Sequence, residues 1–518
     1  MALMAALALV PAVIKLLCYP HNIGSDDAYI HLRIATNFVA GHGWGINPGE
    51  PVNLSTSPAF TLILCVAELV THHAVLLTQL LSALAVMAGL VLICLTVLAE
   101  TGSITAALFA EAAASFSVNL WRWNGSLMEA TFAFAVVALT LYLFRKDASS
   151  AWPRVLGAGV VLGIGMLLRP EMGIVLLLAL FVQWMRSGSA YKVRDAALIL
   201  LGTGLVLLPW CLFALRQFGR IIPTTFAAKS THHLSLVNPV ILRQLGESIV
   251  ESLLFPTLLV LLLLVVVRSK ASREESSADW LRWVIPAGWV FGLFGFYYLK
   301  THGLQSTGRY VLPLLPGEVL LLAYCWAHVE HAMRRLERRI ALGFIGAHVV
   351  FALALNYLTV MPVLRRFDAT YATTMRATAD ELAKDLQGST NRRVLVVSDI
   401  GVLSCEANGR FEIYDGGALA TPSLLGLRLN EMIERVKPAY VVQSLAETPG
   451  GWITAGPDDW GATASGELAA VWERRFNRYS VGEATPYYYT IIYEARGSQQ
   501  VAVNDASAMA GAAHNRVN

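Results

Sequence analysis

Apolar runs of about 15–25 residues recur through the first 360 or so positions, and nothing else in the chain restricts its fold as strongly. One soluble core has no room for so many. A polytopic α-helical membrane protein does. The runs read as Ala2–Cys18, Val75–Ala99, Ile104–Val118, Ala130–Phe144, Val155–Leu168, Met172–Met185, Ala196–Leu215, Leu253–Val267, Trp283–Leu299, Val311–Ala327 and Ile340–Val360, eleven expected transmembrane helices. A shorter run, Ala59–Val70, is broken by Glu68 and follows the proline-bearing Ser55-Thr-Ser-Pro58, so it reads as interfacial or re-entrant. Composition agrees, with 56% hydrophobic and 14% charged residues. The formal charge of +3 gives no reason to expect nucleic acid as a partner. Of six cysteines, five sit in apolar runs and Cys405 does not, a usage with no zinc or disulfide pattern that leaves the redox compartment open.

The first run has no basic residue before it and is interrupted by Lys15 near its outer end, so it reads as an uncleaved helix rather than a signal peptide. Orientation follows from the short basic loops. Arg145, Lys146 and Arg154 mark one, Arg186, Lys192 and Arg194 a second, Arg268, Lys270, Arg273 and Arg282 a third, and Arg334, Arg335, Arg338 and Arg339 a fourth. With eleven crossings all four fall on one side, the cytoplasmic one. Residues 20–74, Trp121–Glu129, Arg169–Glu171, residues 216–252, Lys300–Arg309 and everything after Val360 then face the opposite side.

From about residue 363 the character changes. β-branched runs at Arg392–Ser398, Phe411–Tyr414, Ala439–Gln443 and Tyr487–Tyr493 alternate with a helical pattern over Leu424–Val436. This predicts a transmembrane module over 1–362, a small α/β domain over 363–497 on the outer side, and a disordered tail over 498–518 rich in Ala, Asn, Ser and Gln.

The chemistry-bearing residues gather where outer loops meet helices. Directly after the first run comes Gly24-Ser-Asp-Asp-Ala-Tyr-Ile-His-Leu-Arg-Ile-Ala-Thr-Asn-Phe38, in which Ile30, Ile34 and Phe38 recur every four residues. That spacing predicts a surface-lying amphipathic helix, ended by Gly41-His-Gly43, with Asp26 and Asp27 at its start. Aspartate is also a preferred N-cap, so Asp27 capping a helix that begins at Ala28 is the plain alternative. Arg169-Pro-Glu171 lies between two apolar runs, either as an interfacial ion pair or as part of an outer cavity. Lys229 reads equally well as a solvated lysine, and Arg309 heads a run where a positive charge opposes the usual inside bias. Carboxylates suited to deprotonating a hydroxyl, with cations suited to a phosphate, fit a lipid-linked phosphosugar and a direct, inverting displacement at its anomeric carbon.

Taken in order, several stretches resemble one family. They are Asp26-Asp27-Ala-Tyr-Ile-His-Leu-Arg33, Gly41-His-Gly43, Asn47-Pro-Gly-Glu50, Thr56-Ser-Pro58, Gly125-Ser-Leu-Met-Glu129, Arg169-Pro-Glu171, Pro223-Thr-Thr-Phe-Ala-Ala-Lys229 and Arg309-Tyr-Val-Leu-Pro313. Asp399-Ile-Gly401 and Asp415-Gly-Gly417 follow, the latter pair resembling the family's outer domain. The set resembles the GT-C glycosyltransferases that use polyprenyl-phosphate sugars, and in its motifs the mycobacterial terminal arabinofuranosyltransferases. Met172 stands where the pattern more often has glycine. The resemblance implies a general base at Asp26 or Asp27 and a donor cavity opening to the periplasm of a bacterial inner membrane. It implies a donor phosphate near Lys229, Arg309 and Arg169, and a cavity lined by Tyr29, His31, Arg33, His42, Glu129, Glu171 and Tyr310. Arabinofuranose is the sugar it suggests, and a cell-wall glycan, a lipid-linked glycan or a surface protein such as a pilin the acceptor. No cofactor is certain. Because some GT-C relatives use a divalent metal, a metal near Asp26, Asp27 or Glu129 stays open. The competing class is a transporter or flippase of lipid-linked sugars, which would gather its charges near the bilayer midplane and show paired halves.

Overall fold

The computed structural model describes residues 2–18, 23, 25–145, 151–188, 191–225, 238–267, 280–300, 307–330, 333, 335–366, 371–397, 399–448, 451–454, 468–476 and 488–495. The chain divides into two compact units. One comprises Met1–Ile23, Ser55–Ile221 and Lys229–Pro362; the other comprises Gly24–Leu54, Ile222–Ala228 and Val363–Asn518. The expected tail after Gly497 lies outside the described residues.

The first unit is helical. Among the described residues five helical stretches are long and apolar enough to cross a membrane: Ala74–Thr101, Lys192–Phe218, Pro239–Leu263, Gly308–Val329 and Arg335–Arg365. Shorter apolar helices at Ala2–Cys18, Pro58–Thr71, Ile104–Ser115, Ala130–Leu143 and Trp152–Leu168 accompany them. The molecule is thus a multi-pass membrane protein. The run expected to start at Leu253 belongs to a longer helix, Pro239–Val267, with non-helical backbone at Leu253 (φ −138°). Pro256 is the cause: its ring cannot donate to the carbonyl four residues earlier, at Ser252, and crowds it. Prolines also shape the stretch after Arg309, where Thr307–Val311, a 3₁₀ turn at Leu312–Leu314 and the helix Leu315–Val329 follow one another.

Glycines set one helix crossing. A Cβ on Gly159 would fall 2.2 Å from the Ile199 carbonyl oxygen, and one on Gly202 would fall 2.3 Å from that of Leu156. The helices Trp152–Leu168 and Lys192–Phe218 therefore touch backbone to backbone, and Thr203 Oγ1 donates across the crossing to Gly159 O at 3.1 Å. Gly204, on the second of these helices, faces open space. We expect Gly202→Val to cost about 1–3 kcal/mol or more by forcing the crossing apart, while Gly204→Val leaves it in place. Paired thermal-unfolding curves in detergent check this. Equal melting temperatures would show that the contact carries no weight.

The second unit is built on a six-stranded mixed sheet: β1 (Arg393–Val396), β2 (Glu412–Asp415), β3 (Tyr440–Thr448), β4 (Gly451–Thr454), β5 (Leu468–Phe476) and β6 (Tyr488–Ala495). The order is β2-β1-β3-β6-β5, with β4 also on β3; β1 is parallel to β2 and β3, and β6 is antiparallel to β3 and β5. Sequence pattern misses β5 because Glu473, Arg474 and Arg475 break its apolar run. Such charges are usual on an edge strand, and β5 ends this order. The helix expected over Leu424–Val436 occupies Leu429–Val436 instead. A 3₁₀ turn at Pro422–Leu424 and Gly426 at φ +80° precede it, and Arg428 N donates to Glu431 Oε2 at 2.7 Å to cap it.

The acidic helix, Asp26–Val39, belongs to the same unit. It packs on the short helix Gly401–Ala407, which also meets the helix Thr373–Asp385. The Asn47 side chain imitates a strand residue at the outer edge of β2: its Nδ2 donates to Ile413 O at 2.9 Å, and Ile413 N donates to its Oδ1 at 3.0 Å. That pairing gives the Asn47-Pro-Gly-Glu50 motif a structural purpose.

Candidate active site

The acidic helix starts earlier than the N-cap reading allows. Ser25 is its extended N-cap, so Asp26 and Asp27 both lie in the first turn and Asp27 is not at the N-cap position. Successive side chains on a helix diverge by about 100°, and the two acids meet different surroundings. Asp26 is 8% exposed while Asp27 is half-buried.

Three donors hold the Asp26 carboxylate. Gly401 N donates to Oδ2 at 2.7 Å, Val402 N to Oδ1 at 2.9 Å, and the Tyr371 hydroxyl to Oδ1 at 3.0 Å. Each carboxylate oxygen has two acceptor positions, so Oδ1 is fully used and Oδ2 keeps one. Gly401 permits the approach, since a Cβ there would sit 2.0 Å from the Asp26 carbonyl oxygen and 2.7 Å from Oδ2. Burial pushes the Asp26 carboxyl up to about 7, with the Asp399 charge and that of Asp27 adding to the rise and the two backbone donors opposing it. A carboxyl fixed in orientation and poised near neutrality suits proton transfer.

Neighbouring motifs build the frame. Arg33 is buried; its Nε donates to Ile46 O at 3.1 Å and its Nη1 to Asn408 Oδ1 at 2.8 Å, so it clasps the first loop to the end of the Gly401 helix. Tyr29 and His31 are buried on the same helix, and Cys405 Sγ donates to Tyr29 O at 3.1 Å. His42 is exposed in the turn that follows. Asp415 accepts from Gly417 N, Leu419 N and Ala420 N, each at 2.8 Å, which shapes the loop after β2. That loop presents Leu419 O to Thr224 Oγ1 at 2.6 Å, and Thr224 N and Thr225 Oγ1 donate to Asn53 O and Leu54 O. Pro223-Thr-Thr is therefore pinned by the first loop and by Asp415-Gly-Gly417. Lys229, four residues beyond Thr225, lies outside the described residues.

The expected cations belong to the first unit. Arg169 is 4% exposed, and its Nη2 donates to Glu129 Oε1 at 2.6 Å and to Arg309 O at 3.0 Å. Its Nη1 donates to the Tyr297 hydroxyl at 3.3 Å and lies 3.6 Å from Glu171 Oε1. Tyr297 in turn donates to Glu171 Oε1 at 2.7 Å. Arg309, also buried, has its guanidinium 4.8 Å from the Tyr310 ring centre, donates from Nη2 to the Tyr310 hydroxyl at 2.8 Å, and faces the Met128 sulfur at 4.0 Å. The Tyr310 ring also lies 5.2 Å from the Arg169 guanidinium and packs edge-on against Tyr297. Glu129, Arg169, Glu171, Arg309 and Tyr310 thus come together, and Arg169 carries the expected ion pair.

Four contributors escaped sequence reasoning. Tyr371, the Gly401 and Val402 amides and Tyr297 act through positions far apart in the chain, and Tyr297 sits in an apolar run with no local mark. Lys15, which interrupts the first run, is buried, and its Cε lies 2.8 Å from where a Cβ on Gly125 would be, at a residue whose φ is +77°. Of the carboxylates suggested for a divalent metal, Asp26 is engaged by Gly401, Val402 and Tyr371, and Glu129 by Arg169. No group of three or more metal-binding side chains occurs among the described residues. No step is assigned to a metal.

No protein-family model matches the chain, and no curated protein does. Solved structures are similar over nearly the whole length. ArnT from Cupriavidus metallidurans bound to undecaprenyl phosphate is 14% identical with a TM-score of 0.58, the match covering 95% of this chain and 97% of that one. The mycobacterial arabinofuranosyltransferase AftD is 19% identical with a TM-score of 0.55 over 95% of this chain and 40% of that one. The Archaeoglobus fulgidus oligosaccharyltransferase in complex with zinc and sulfate is 12% identical with a TM-score of 0.55, covering 88% and 73%. With its apolar helices, its acidic helix and these likenesses, the chain has the fold of the GT-C membrane glycosyltransferases.

Proposed function

We propose that this protein transfers a sugar, arabinofuranose on the evidence of its motifs, from a polyprenyl phosphate to a hydroxyl of a periplasmic acceptor. The acceptor is a cell-wall glycan, a lipid-linked glycan or a surface protein such as a pilin. The reading has eleven crossings, with the four basic loops cytoplasmic and the acidic helix and the sheet-bearing unit on the periplasmic side of a bacterial inner membrane. The observation that carries it is the Asp26 carboxylate, oriented by three donors, poised near neutral pH and keeping one acceptor position on Oδ2. The likeness of the fold to an ArnT that binds undecaprenyl phosphate supports the lipid donor.

In this reading Asp26 accepts the acceptor proton as the acceptor oxygen attacks the anomeric carbon. The bond from that carbon to the phosphate oxygen breaks, configuration inverts, and polyprenyl phosphate leaves with the electron pair. Arg309 meets the phosphate charge, with Lys229 as its expected partner. Arg169 acts through Arg309, whose carbonyl it holds. Asp27 acts on Asp26 through its charge.

Proteoliposomes supplied with synthetic decaprenyl-phosphate arabinofuranose and a glycan acceptor provide the test. Arg309→Ala is expected to raise KM for the donor about tenfold or more, the loss of one charge-assisted contact to phosphate. Movement of intact donor across the bilayer without sugar transfer would replace this reading with the transporter one.

A further inference from the structure

Three elements of the first unit meet at one side chain. Asn119 is 1% exposed and lies on the short helix Val118–Trp123. That helix touches both the kinked helix Pro239–Val267 and the short helix Thr307–Val311, which carries Arg309. Towards the kinked helix, Asn119 Nδ2 donates to Ser248 Oγ at 2.9 Å and to Ser252 Oγ at 2.8 Å, with Ser248 O at 3.4 Å as a weaker third acceptor. The carbonyl among these acceptors fixes which end of the amide faces that helix, because a carbonyl oxygen can only accept. The other end, Oδ1, is turned to Gly308, the residue before Arg309.

Only a glycine fits there. A Cβ on residue 308 would lie 2.8 Å from Trp123 Nε1, 3.1 Å from Asn119 Cγ and closer still to Asn119 Oδ1. Neither neighbour is free to withdraw: the Trp123 ring is 2% exposed, and the Asn119 amide is tied to the kinked helix. The close approach carries a cost. Asn119 Oδ1 and Trp123 Nε1 are both buried and have no hydrogen-bond partner among the described residues. Such departures from polar satisfaction gather at functional sites. What these two unpaired groups permit is the contact of bare backbone immediately ahead of Arg309.

We propose that Asn119, acting through Gly308, is a positioning residue that aims Arg309 at the donor phosphate. The inference rests on the transferase reading, which gives the phosphate to Arg309, and adds what holds that cation in place. Arg309 is then bracketed along the chain. Gly308 fixes its N-terminal side against Asn119 and Trp123, and its own carbonyl is held by Arg169 Nη2 at 3.0 Å. With both sides of the residue fixed, the origin of the guanidinium is fixed as well. A displacement of about 1 Å at such a group can cost on the order of 10²-fold in rate.

Donor KM in proteoliposomes supplied with decaprenyl-phosphate arabinofuranose, compared at equal folded fraction, tests the proposal. Gly308→Ala is expected to raise donor KM about tenfold. In an Arg309→Ala background the same change should add less than about twofold, because no guanidinium remains to be misplaced. Asn119→Ala clears the nearest obstacle, so adding it to Gly308→Ala should recover several-fold of the lost KM. Asn119→Ala alone guards against misfolding of the glycine variant: it should raise KM about threefold in the parent and leave it unchanged in the Arg309→Ala background. Unchanged donor KM in both single variants overturns the proposal. So does a rise that persists undiminished in the Arg309→Ala background, which would show that these residues act on something other than Arg309. If Arg309→Ala raises donor KM while neither Gly308→Ala nor Asn119→Ala does, the positioning role falls and the transferase reading stands; if the parent transfers no sugar, both fall.

Discussion

Asp26→Asn is expected to lower sugar transfer about 10²–10⁴-fold, the usual contribution of a positioned general base. A base works only when deprotonated, and the Asp26 carboxyl is pushed up to about 7 by burial and by Asp399 and Asp27. The parent's kcat/KM should therefore fall as pH drops through about 7, well above the ordinary carboxylate range. Stability runs the other way. With 3.8 for the unfolded chain and about 7 folded, the native state holds the extra proton between these values. The contribution is present in full below the unfolded value and is lost as pH rises through the folded one, so the protein should melt higher at pH 5 than at pH 8 in this respect. Asn cannot accept from all three donors, because one of its two terminal atoms is itself an N–H donor. It strands at least one of Gly401 N, Val402 N or Tyr371 Oη, at about 1–3 kcal/mol. Rates must accordingly be compared at equal folded fraction. Asp27→Asn should give the smaller loss and move the acidic limb to lower pH, because it removes a charge that raises Asp26. A profile flat between pH 5 and 8, or a larger loss from Asp27→Asn, would take the base assignment away from Asp26.

What could be read from the sequence follows from how far each interaction reaches. The helix at Asp26–Val39 announces itself through Ile30, Ile34 and Phe38, and most apolar runs became helices with ends shifted by a few residues. Local periodicity is enough for those. Leu253 was misread because a kink and a helix start leave the same trace, an apolar run after polar residues. The contents of the site were legible as residue types but not as partners. Nothing near Asp26 in the sequence indicates that Gly401, Val402 and Tyr371, some 345–376 positions away, donate to it. Likewise, Asp415-Gly-Gly417 and Pro223-Thr-Thr are recognisable stretches whose common purpose, the bond from Thr224 to Leu419, exists only once the chain is folded.

Arg169→Met is expected to be among the most destabilising single changes in the first unit, by about 3–5 kcal/mol. The two carboxylates that Arg169 meets have side chains only 8% and 12% exposed, so water does not take the cation's place. The strain would reach Arg309, whose carbonyl loses its Arg169 donor, and Tyr297, whose hydroxyl loses its Arg169 donor and keeps its bond to Glu171. Lysine should rescue little. One ammonium reaches a single carboxylate as a point charge, while the guanidinium spans Glu129, the Tyr297 hydroxyl and Arg309 O from two nitrogens. Because much of the penalty is the Glu129 charge losing its Arg169 ion pair, Arg169→Met with Glu129→Gln should recover a substantial part of the loss. Denaturant or thermal unfolding of the three variants in detergent measures this, and donor KM in the Arg169→Lys protein separates positioning from direct phosphate contact. A positioning residue predicts that KM worsens in step with destabilisation and improves in the double variant. A KM that stays poor in a double variant of restored stability would instead put the Arg169 guanidinium on the donor phosphate.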